Sequence, residues 1–274
     1  MPWDLTTDVE AFASTAGDFL RTRPVQHTVL LTLIATLRRR GPHAYGPEDP
    51  VFGFWRAGGS VEAVLLQTPP HPMMFSSMPA AAVAEAAETL ADRPLSGVNM
   101  TADVLDDFVE RRGAPATVTM RTRLYLLDTL TPLPAPNGQA RVATTQDRDL
   151  LMRWDDEFHA ALGEQPSADR GAFVDERIGF DGFVLWEVDG VPVSMAARSR
   201  IEAGMSRVQS VYTPRELRGR GYAGAATAAV TQHALDQGAE SVVLFTDLAN
   251  PTSNGLYQRL GYRPVEDRVA VRFS

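Results

Sequence analysis

The chain contains no cysteine. That excludes structural disulfides, a thiol nucleophile and any cysteine-ligated zinc or iron–sulfur centre. Lysine is missing as well, and all 26 basic residues are arginine. No lysine Schiff base, lysine nucleophile or Walker-type phosphate lysine can therefore operate here. Long apolar runs are absent too. Residues 29–37 form the longest, broken by two threonines, whereas a membrane-spanning helix needs about 20 apolar residues. The five histidines are scattered singly, without the His-Glu-x-x-His pairing of a zinc site. There is no Gly-x-Ser-x-Gly elbow. The first ten residues are acidic and lack a charged-then-apolar leader pattern. These absences lead us to expect a cytoplasmic protein with no metal and no membrane partner.

What is present fits a folded protein with room for two modules. The 274 residues are 44% apolar and 22% charged, with a net charge of −8. A chain of this length buries roughly three-quarters of its unfolded surface and needs no covalent staple. The acidic balance argues against nucleic acid as a partner, which would call for a basic face.

Residues 130–138 are the proline-rich stretch of the chain, an extended connector in which proline forbids helix. Residues 1–138 carry 11 arginines against 15 acids and residues 139–274 carry 15 against 19, so each half is −4. We expect domains over residues 1–132 and 139–274. In the second half, apolar spacing predicts a strand at 141–144 and a helix over 146–162. Strands at 183–188 and 193–199 flank an Asp189-Gly190 turn. A strand at 207–213, a helix at 222–237, a buried strand at 241–246, a helix at 252–260 and a last strand at 264–273 follow. The first half reads as helices at 9–20 and 25–39, strands at 51–56 and 61–67 around a Gly58-Gly59 turn, and a third strand at 73–77. Helix 80–90, strand 95–98, helix 102–111 and strand 117–127 complete it. Both halves thus share an element order. A duplication would leave that order, and two unrelated α/β modules also often have it.

The strongest chemical signal is Arg218-Gly-Arg-Gly-Tyr-Ala223, between a strand and a helix. The first amides of a helix have no internal partner, and the helix dipole is positive there. Gly219 and Gly221 remove side chains so that a phosphate can approach, while Arg218 and Arg220 add charged donors. A tight turn entering a helix would use the same glycines. A dinucleotide fold is disfavoured because an antiparallel-looking hairpin precedes the turn.

Three patterns in order resemble the GNAT superfamily of acyl-CoA-dependent N-acetyltransferases. Arg218, Gly221 and Ala223 match its Arg/Gln-x-x-Gly-x-Gly/Ala motif, after a strand ending Val211-Tyr-Thr-Pro214. Asn250, Tyr257 and Leu260-Gly-Tyr262 match its later pattern, with Ser253 in place of the usual alanine. Arg141 to Asp147 looks like the family's opening strand and helix. The resemblance covers residues 139–274. It implies a mixed, mostly antiparallel α/β sheet with flanking helices, and two such modules in tandem. Acetyl-CoA would be the co-substrate and a primary amine the acceptor. Val211, Tyr212 and Thr213 would present backbone to the pantetheine in the manner of an added strand. Arg218, Gly219, Arg220, Gly221, Tyr222 and Ala223 would hold the pyrophosphate, and Asn250 and Ser253 would lie along the pantetheine and adenosine arm. Tyr257 would protonate the leaving thiolate. As an aromatic on an amphipathic helix, it could equally be a packing residue.

The acceptor side is less legible. An alkyl amine of pKa about 10.4 costs about 4.6 kcal/mol to present neutral at pH 7, and a terminal amine near 8 about 1.4 kcal/mol. A carboxylate base matters in the first case. Glu187, Glu202 and Asp247 lie on or beside strands. Asp247 is the choice, since it follows the fifth strand on the acceptor side, although a turn aspartate would look the same. Asp147, Asp149, Asp155, Asp156, Glu157 and Glu164 form either an acidic rim that attracts a cation or a solvated helix face. Trp154, Phe158 and His159 are entrance candidates, the two larger rings being also at core spacing. The first half reads Ser77-Met-Pro-Ala-Ala-Ala82 at the equivalent joint, without paired glycines or arginine. Pro79 at the first helical position would also remove an amide. We expect a degenerate or accessory GNAT-like unit there, able to cover a sheet edge, shape the acceptor cleft or make a homodimer contact. The non-enzymatic alternative for the whole chain is an acyl-CoA-binding sensor or interaction module.

Overall fold

The computed structural model describes residues 3–131, 133–134, 136–163 and 170–274. Its contacts divide the chain into two compact units. The first runs to Leu124 and takes in Thr246–Ala249 and Val265–Ser274. The second comprises Tyr125–Phe245 and Asn250–Pro264. Among the described residues no helix is long and apolar enough to cross a membrane.

The first unit opens with β1 (Asp4–Thr6), α1 (Val9–Thr22) and α2 (Thr28–Arg40). Asp8 caps α1 by accepting from the amides of Glu10 and Ala11 at 2.8 and 3.1 Å. The helix buries Phe12, Ala16 and Leu20, four residues apart on one face. Strands β2 (Val51–Ala57) and β3 (Ser60–Gln67) form the expected hairpin. Gly58 and Gly59 turn it with φ of +57° and +88°, which side chains resist. Then come β4 (Met73–Phe75), α3 (Ala80–Thr89), β5 (Gly97–Thr101), α4 (Leu105–Arg112) and β6 (Ala116–Leu127). β4 and β5 are parallel, with Met73 opposite Val98 and Met74 opposite Asn99.

The second unit contains β7 (Gln139–Val142), α5 (Arg148–Ala161), α6 (Arg170–Ile178), β8 (Phe183–Val188), β9 (Val191–Arg198) and β10 (Met205–Tyr212). It continues with α7 (Tyr222–Asp236), β11 (Ser241–Asp247), α8 (Pro251–Arg259) and β12 (Tyr262–Phe273). β7 to β10 pair antiparallel in chain order, and β10 and β11 are parallel. Asp189 and Gly190 make the β8–β9 turn with φ of +51° and +76°. One apolar cluster lies under α7 and α8, around Val230, Leu244, Leu260 and Tyr262. Another lies under α5 and α6, around Leu151, Trp154, Val174 and Phe183.

The architecture is the expected mixed, mostly antiparallel sheet with helices on its faces. Two features differ from the sequence reading. Helix α6 was not anticipated, although Phe173, Val174 and Ile178 supply a short apolar face. With it, each unit runs two helices, three antiparallel strands, a helix, a parallel strand and a helix. The second difference lies in β12. Its residues from Val265 onward group with the first unit, because Arg268 to Arg272 pair antiparallel with Thr101 to Gly97 of β5. A single cut at the proline-rich connector does not capture that exchange. Two residues of the connector, Pro132 and Ala135, lie outside the described residues.

Candidate active site

β10 begins as an ordinary central strand and then changes. It pairs with β11 from Met205 opposite Ser241 to Val208 opposite Leu244, and the pairing goes no further. On its other edge the register with β9 shifts between Gln209 and Tyr212. Within that bulge Ser210 has φ of +47°, a left-handed conformation uncommon for a residue with a Cβ. A bulge bends and twists its strand. Both strands run on beyond the Val208–Leu244 pair, β10 to Tyr212 and β11 to Asp247, without further pairing to each other.

The residues after this strand are tied in place. Ser194 donates to the Tyr212 carbonyl at 2.9 Å and shares a 2.9 Å hydrogen bond with the Thr213 hydroxyl. Arg218 donates its Nε to the Thr213 carbonyl at 3.0 Å. This holds an exposed guanidinium between the strand end and the helix that follows. Gly219 and Gly221 have φ of +77° and +85°. Gly221 is the N-cap of α7, with no side chain capping it. The first hydrogen bond along the helix runs from Ala225 to the Gly221 carbonyl at 3.1 Å. The amides of Tyr222, Ala223 and Gly224 precede it, where a helix lacks internal acceptors. A Cβ at Gly219 would meet nothing within 4 Å, and one at Gly221 only Pro136 carbons from 3.8 Å. The glycines are thus needed for backbone conformation, and the space before the helix is open. This arrangement can take an anion at the positive end of a helix dipole.

α8 contributes Asn250, Ser253 and Tyr257. Asn250 is the N-cap, and its side chain accepts from the Ser253 amide at 3.0 Å, with Pro251 opening the helix. Tyr257 is 8% exposed and belongs to the apolar cluster under α7 and α8. Its ring meets Tyr262 edge-on at 6.2 Å. Among the described residues nothing hydrogen-bonds its hydroxyl, and burial pushes its pKa up to about 12. A phenol in that state stays protonated and keeps its proton available to donate.

The carboxylates sort differently from the sequence expectation. Asp247 closes β11, and its Oδ1 accepts from the Ala249 amide at 2.9 Å, the turn role named above as its alternative. Its contacts place it with the first unit. Glu187 and Asp147 both bind Arg141. Arg141 Nε meets Glu187 at 2.7 Å, and its two Nη atoms meet Asp147 at 2.7 Å each. Asp147 also accepts from the Thr144 amide, closing a capping box before α5. The Arg141–Asp147 pattern is therefore a brace for the start of the unit. Asp156 pairs with Arg170. Trp154 is core, and Phe158 packs beside it. Glu164 lies outside the described residues.

Two carboxylates of α5 remain distinctive. Glu157 accepts from the Tyr212 hydroxyl at 2.6 Å, linking the acidic helix to the end of β10. Sequence reasoning placed both residues but not their contact, which depends on the bulge that turns Tyr212 toward α5. Asp155 is 3% exposed, with His159 Nε2 3.6 Å from its Oδ2 and no partner for its Oδ1. Burial raises its pKa, opposed in part by His159, Arg177 and Arg170. A raised acid pKa favours the fold while the group is protonated and loses that contribution as pH rises through the folded value. Asp155→Asn is therefore expected to raise the melting temperature at pH 8. The gain should disappear at pH 3.5, below the ordinary carboxylate value. Melting curves at the two pH values check this.

At the equivalent joint of the first unit, Pro79 is the N-cap of α3 and not its first residue. Its carbonyl accepts from the amides of Ala82 and Val83 at 2.9 and 3.2 Å. Proline therefore does not remove a helical amide there, but no arginine or left-handed glycine accompanies the joint.

Residues 148–262 match the model of the GNAT acetyltransferase family. No curated protein matches the chain significantly. Solved structures do so over nearly its whole length. A GNAT-family acetyltransferase from Colwellia psychrerythraea superposes with a TM-score of 0.65 at 10% identity, covering 100% of both chains. A GCN5-related N-acetyltransferase from Sphaerobacter thermophilus gives 0.63 at 18%, over 98% of this chain and 95% of that one. A tandem GNAT protein from the clavulanic acid biosynthesis pathway gives 0.56 at 14%, over 98% and 97%. At such identities the likeness is one of fold. Residues 148–262 are thus a GNAT acetyltransferase-family domain, in a chain that carries the GNAT fold along its whole length.

Proposed function

We propose that the second unit transfers an acetyl group from acetyl-CoA to a primary amine. The observation that carries the proposal is the uncapped, arginine-flanked N-terminus of α7 following a strand whose pairing with its parallel partner ends at Val208 while both strands run on. The edge of β10 at Val211 and Thr213 suits the amides of pantetheine, which would add to it as a short strand. The amides of Tyr222 and Ala223, with Arg218 and Arg220, suit the pyrophosphate. Asn250 and Ser253 lie at the start of α8, on the proposed path of the pantetheine and adenosine arm.

In the reaction the amine nitrogen attacks the thioester carbonyl carbon. The carbon–sulfur bond breaks, the sulfur leaves as thiolate and the nitrogen gives up a proton. Tyr257 donates a hydrogen bond to the departing sulfur. For the base we propose two carboxylates: Asp247 at the end of β11, and Glu157 through its link to Tyr212. Asp247→Asn and Glu157→Gln separate them. The variant lacking the base should lose at least about 10²-fold in kcat with an alkyl amine and much less with an amine of pKa near 8.

Release of free CoA thiol over a panel of amines tests the reading, with acetyl-CoA affinity measured alongside. Turnover with at least one amine is expected. Tight acetyl-CoA binding without turnover on any amine would favour the sensor alternative.

A further inference from the structure

The first unit holds a cavity of about 260 Å³ that plays no part in the proposed reaction. Val29 and Leu33 of α2 form one wall, and Leu66 of β3 with Met74 of β4 form another. Tyr45, Thr68, His71 and Asn99 are its polar members. Leu33, Tyr45 and Met74 pack against the core under α1 and α2 yet remain only half-buried. The core here ends in an unfilled recess rather than a closed surface.

One polar group in it is locked. Val98 and Met100 of β5 belong to the apolar cluster under α3 and α4, so Asn99 between them faces the α2 side. Arg268 is 4% exposed and donates its Nε to Asn99 Oδ1 at 2.9 Å. The same guanidinium binds the Phe75 carbonyl at 2.6 Å, the Asn99 carbonyl at 3.0 Å and Glu266 at 3.0 Å. An arginine can only donate, so Asn99 must present its oxygen to Arg268 and keep its Nδ2 donor for the cavity. A buried arginine with four contacts fixes that rotamer. Such a donor, set before any ligand arrives, is what a small-molecule site needs among apolar walls.

We propose that this recess binds a small, mainly apolar molecule bearing one hydrogen-bond acceptor, such as an amide or carboxyl oxygen. The apolar body lies against Val29, Leu33, Leu66 and Met74, and the acceptor meets Asn99 Nδ2. Size sets the scale: an apolar cavity of about 150 Å³ admits benzene, so this one takes about ten non-hydrogen atoms. The ligand is thus far smaller than acetyl-CoA, and the site is separate from the proposed function.

The test uses methyl NMR on the full chain, following Leu33, Leu66 and Met74 as 3-phenylpropanamide, 3-phenylpropanoate and propylbenzene are titrated. The three share a body and differ in the acceptor. Shifts at these methyls with a Kd of about 1 mM or tighter are expected for an acceptor-bearing probe, at least about fivefold tighter than for propylbenzene. Leu33→Trp sets an indole in the recess and should weaken that probe at least tenfold while leaving acetyl-CoA affinity unchanged. Dispersed methyl signals of Leu66 and Met74 in the variant show that the first unit is folded. No shift at 5 mM probe, equal affinity for all three molecules, or binding that survives Leu33→Trp in folded protein would overturn the proposal. The comparison among probes needs no variant and stands if Leu33→Trp fails to fold.

Discussion

Tyr257→Phe should lower kcat by about 10²–10⁴-fold while acetyl-CoA affinity stays near the parental value. The substitution removes one oxygen from a ring that is 8% exposed, and the packing against Tyr262 needs only the ring. A free hydroxyl on an apolar wall does little for stability. The physical case for its role is electrostatic. With its pKa pushed up to about 12, the phenol cannot be lost to ionisation in any ordinary assay. In the proposed reaction that proton would be donated to the departing sulfur, where burial of the ring limits competition from water. It follows that the alkaline limb of the pH–rate profile should not report Tyr257 below about pH 10. Steady-state kinetics on parent and variant check both points. Parental turnover in the variant would reduce Tyr257 to a packing residue.

The second large effect concerns stability. Arg141→Ala leaves Asp147 and Glu187 without their shared cation, and their side chains are 10% and 8% exposed. Removing one partner of a buried pair typically costs about 3–5 kcal/mol. The arginine itself is 34% exposed, so screening brings the expectation to about 2–4 kcal/mol. At roughly 2–4 °C per kcal/mol, the melting temperature should fall by about 5–15 °C. The sign with pH is defined. The Arg141 guanidinium, with the Thr144 amide, holds the Asp147 carboxyl below the usual range. That stabilisation is present above the unfolded carboxylate value and is lost as pH falls through the folded one. The gap between parent and variant should therefore narrow in acid. Melting curves at pH 7 and pH 3 measure it.

Much of the fold is legible in the sequence because local chemistry and tertiary structure agree. Gly58-Gly59 and Asp189-Gly190 can only turn tightly, and the flanking β-rich runs have nowhere to go but back along each other. Arg218 to Ala223 could be read because glycine at two left-handed positions before a helix leaves a clear trace. Helix α6 escaped because its apolar face is short, and the apolar cluster it shares with α5 and the Arg148–Asp175 pair at 2.6 and 2.9 Å join residues far apart in the chain. The C-terminal exchange escaped for a similar reason: nothing local marks Val265 as the point where β12 changes units. Carboxylate roles were the least legible. Asp147, Glu187 and Asp156 look like free acids until their arginine partners are placed. Glu157 looks like a solvated face until the bulge at Ser210 brings Tyr212 to it.

The most direct test is a calorimetric titration of the full chain with acetyl-CoA, repeated on Arg218→Ala and on Arg218→Ala with Gly221→Val. The single variant leaves the backbone unstrained. The double variant adds a β-branched residue where φ is +85°, so its melting temperature must be measured as well. One site per chain is predicted for the parent. Arg218→Ala should weaken binding, and the double variant should abolish it in folded protein. At ligand 100-fold above Kd, the parent should gain about 2.7 kcal/mol of stability. Two equivalent sites, or parental affinity in the folded double variant, would contradict the account.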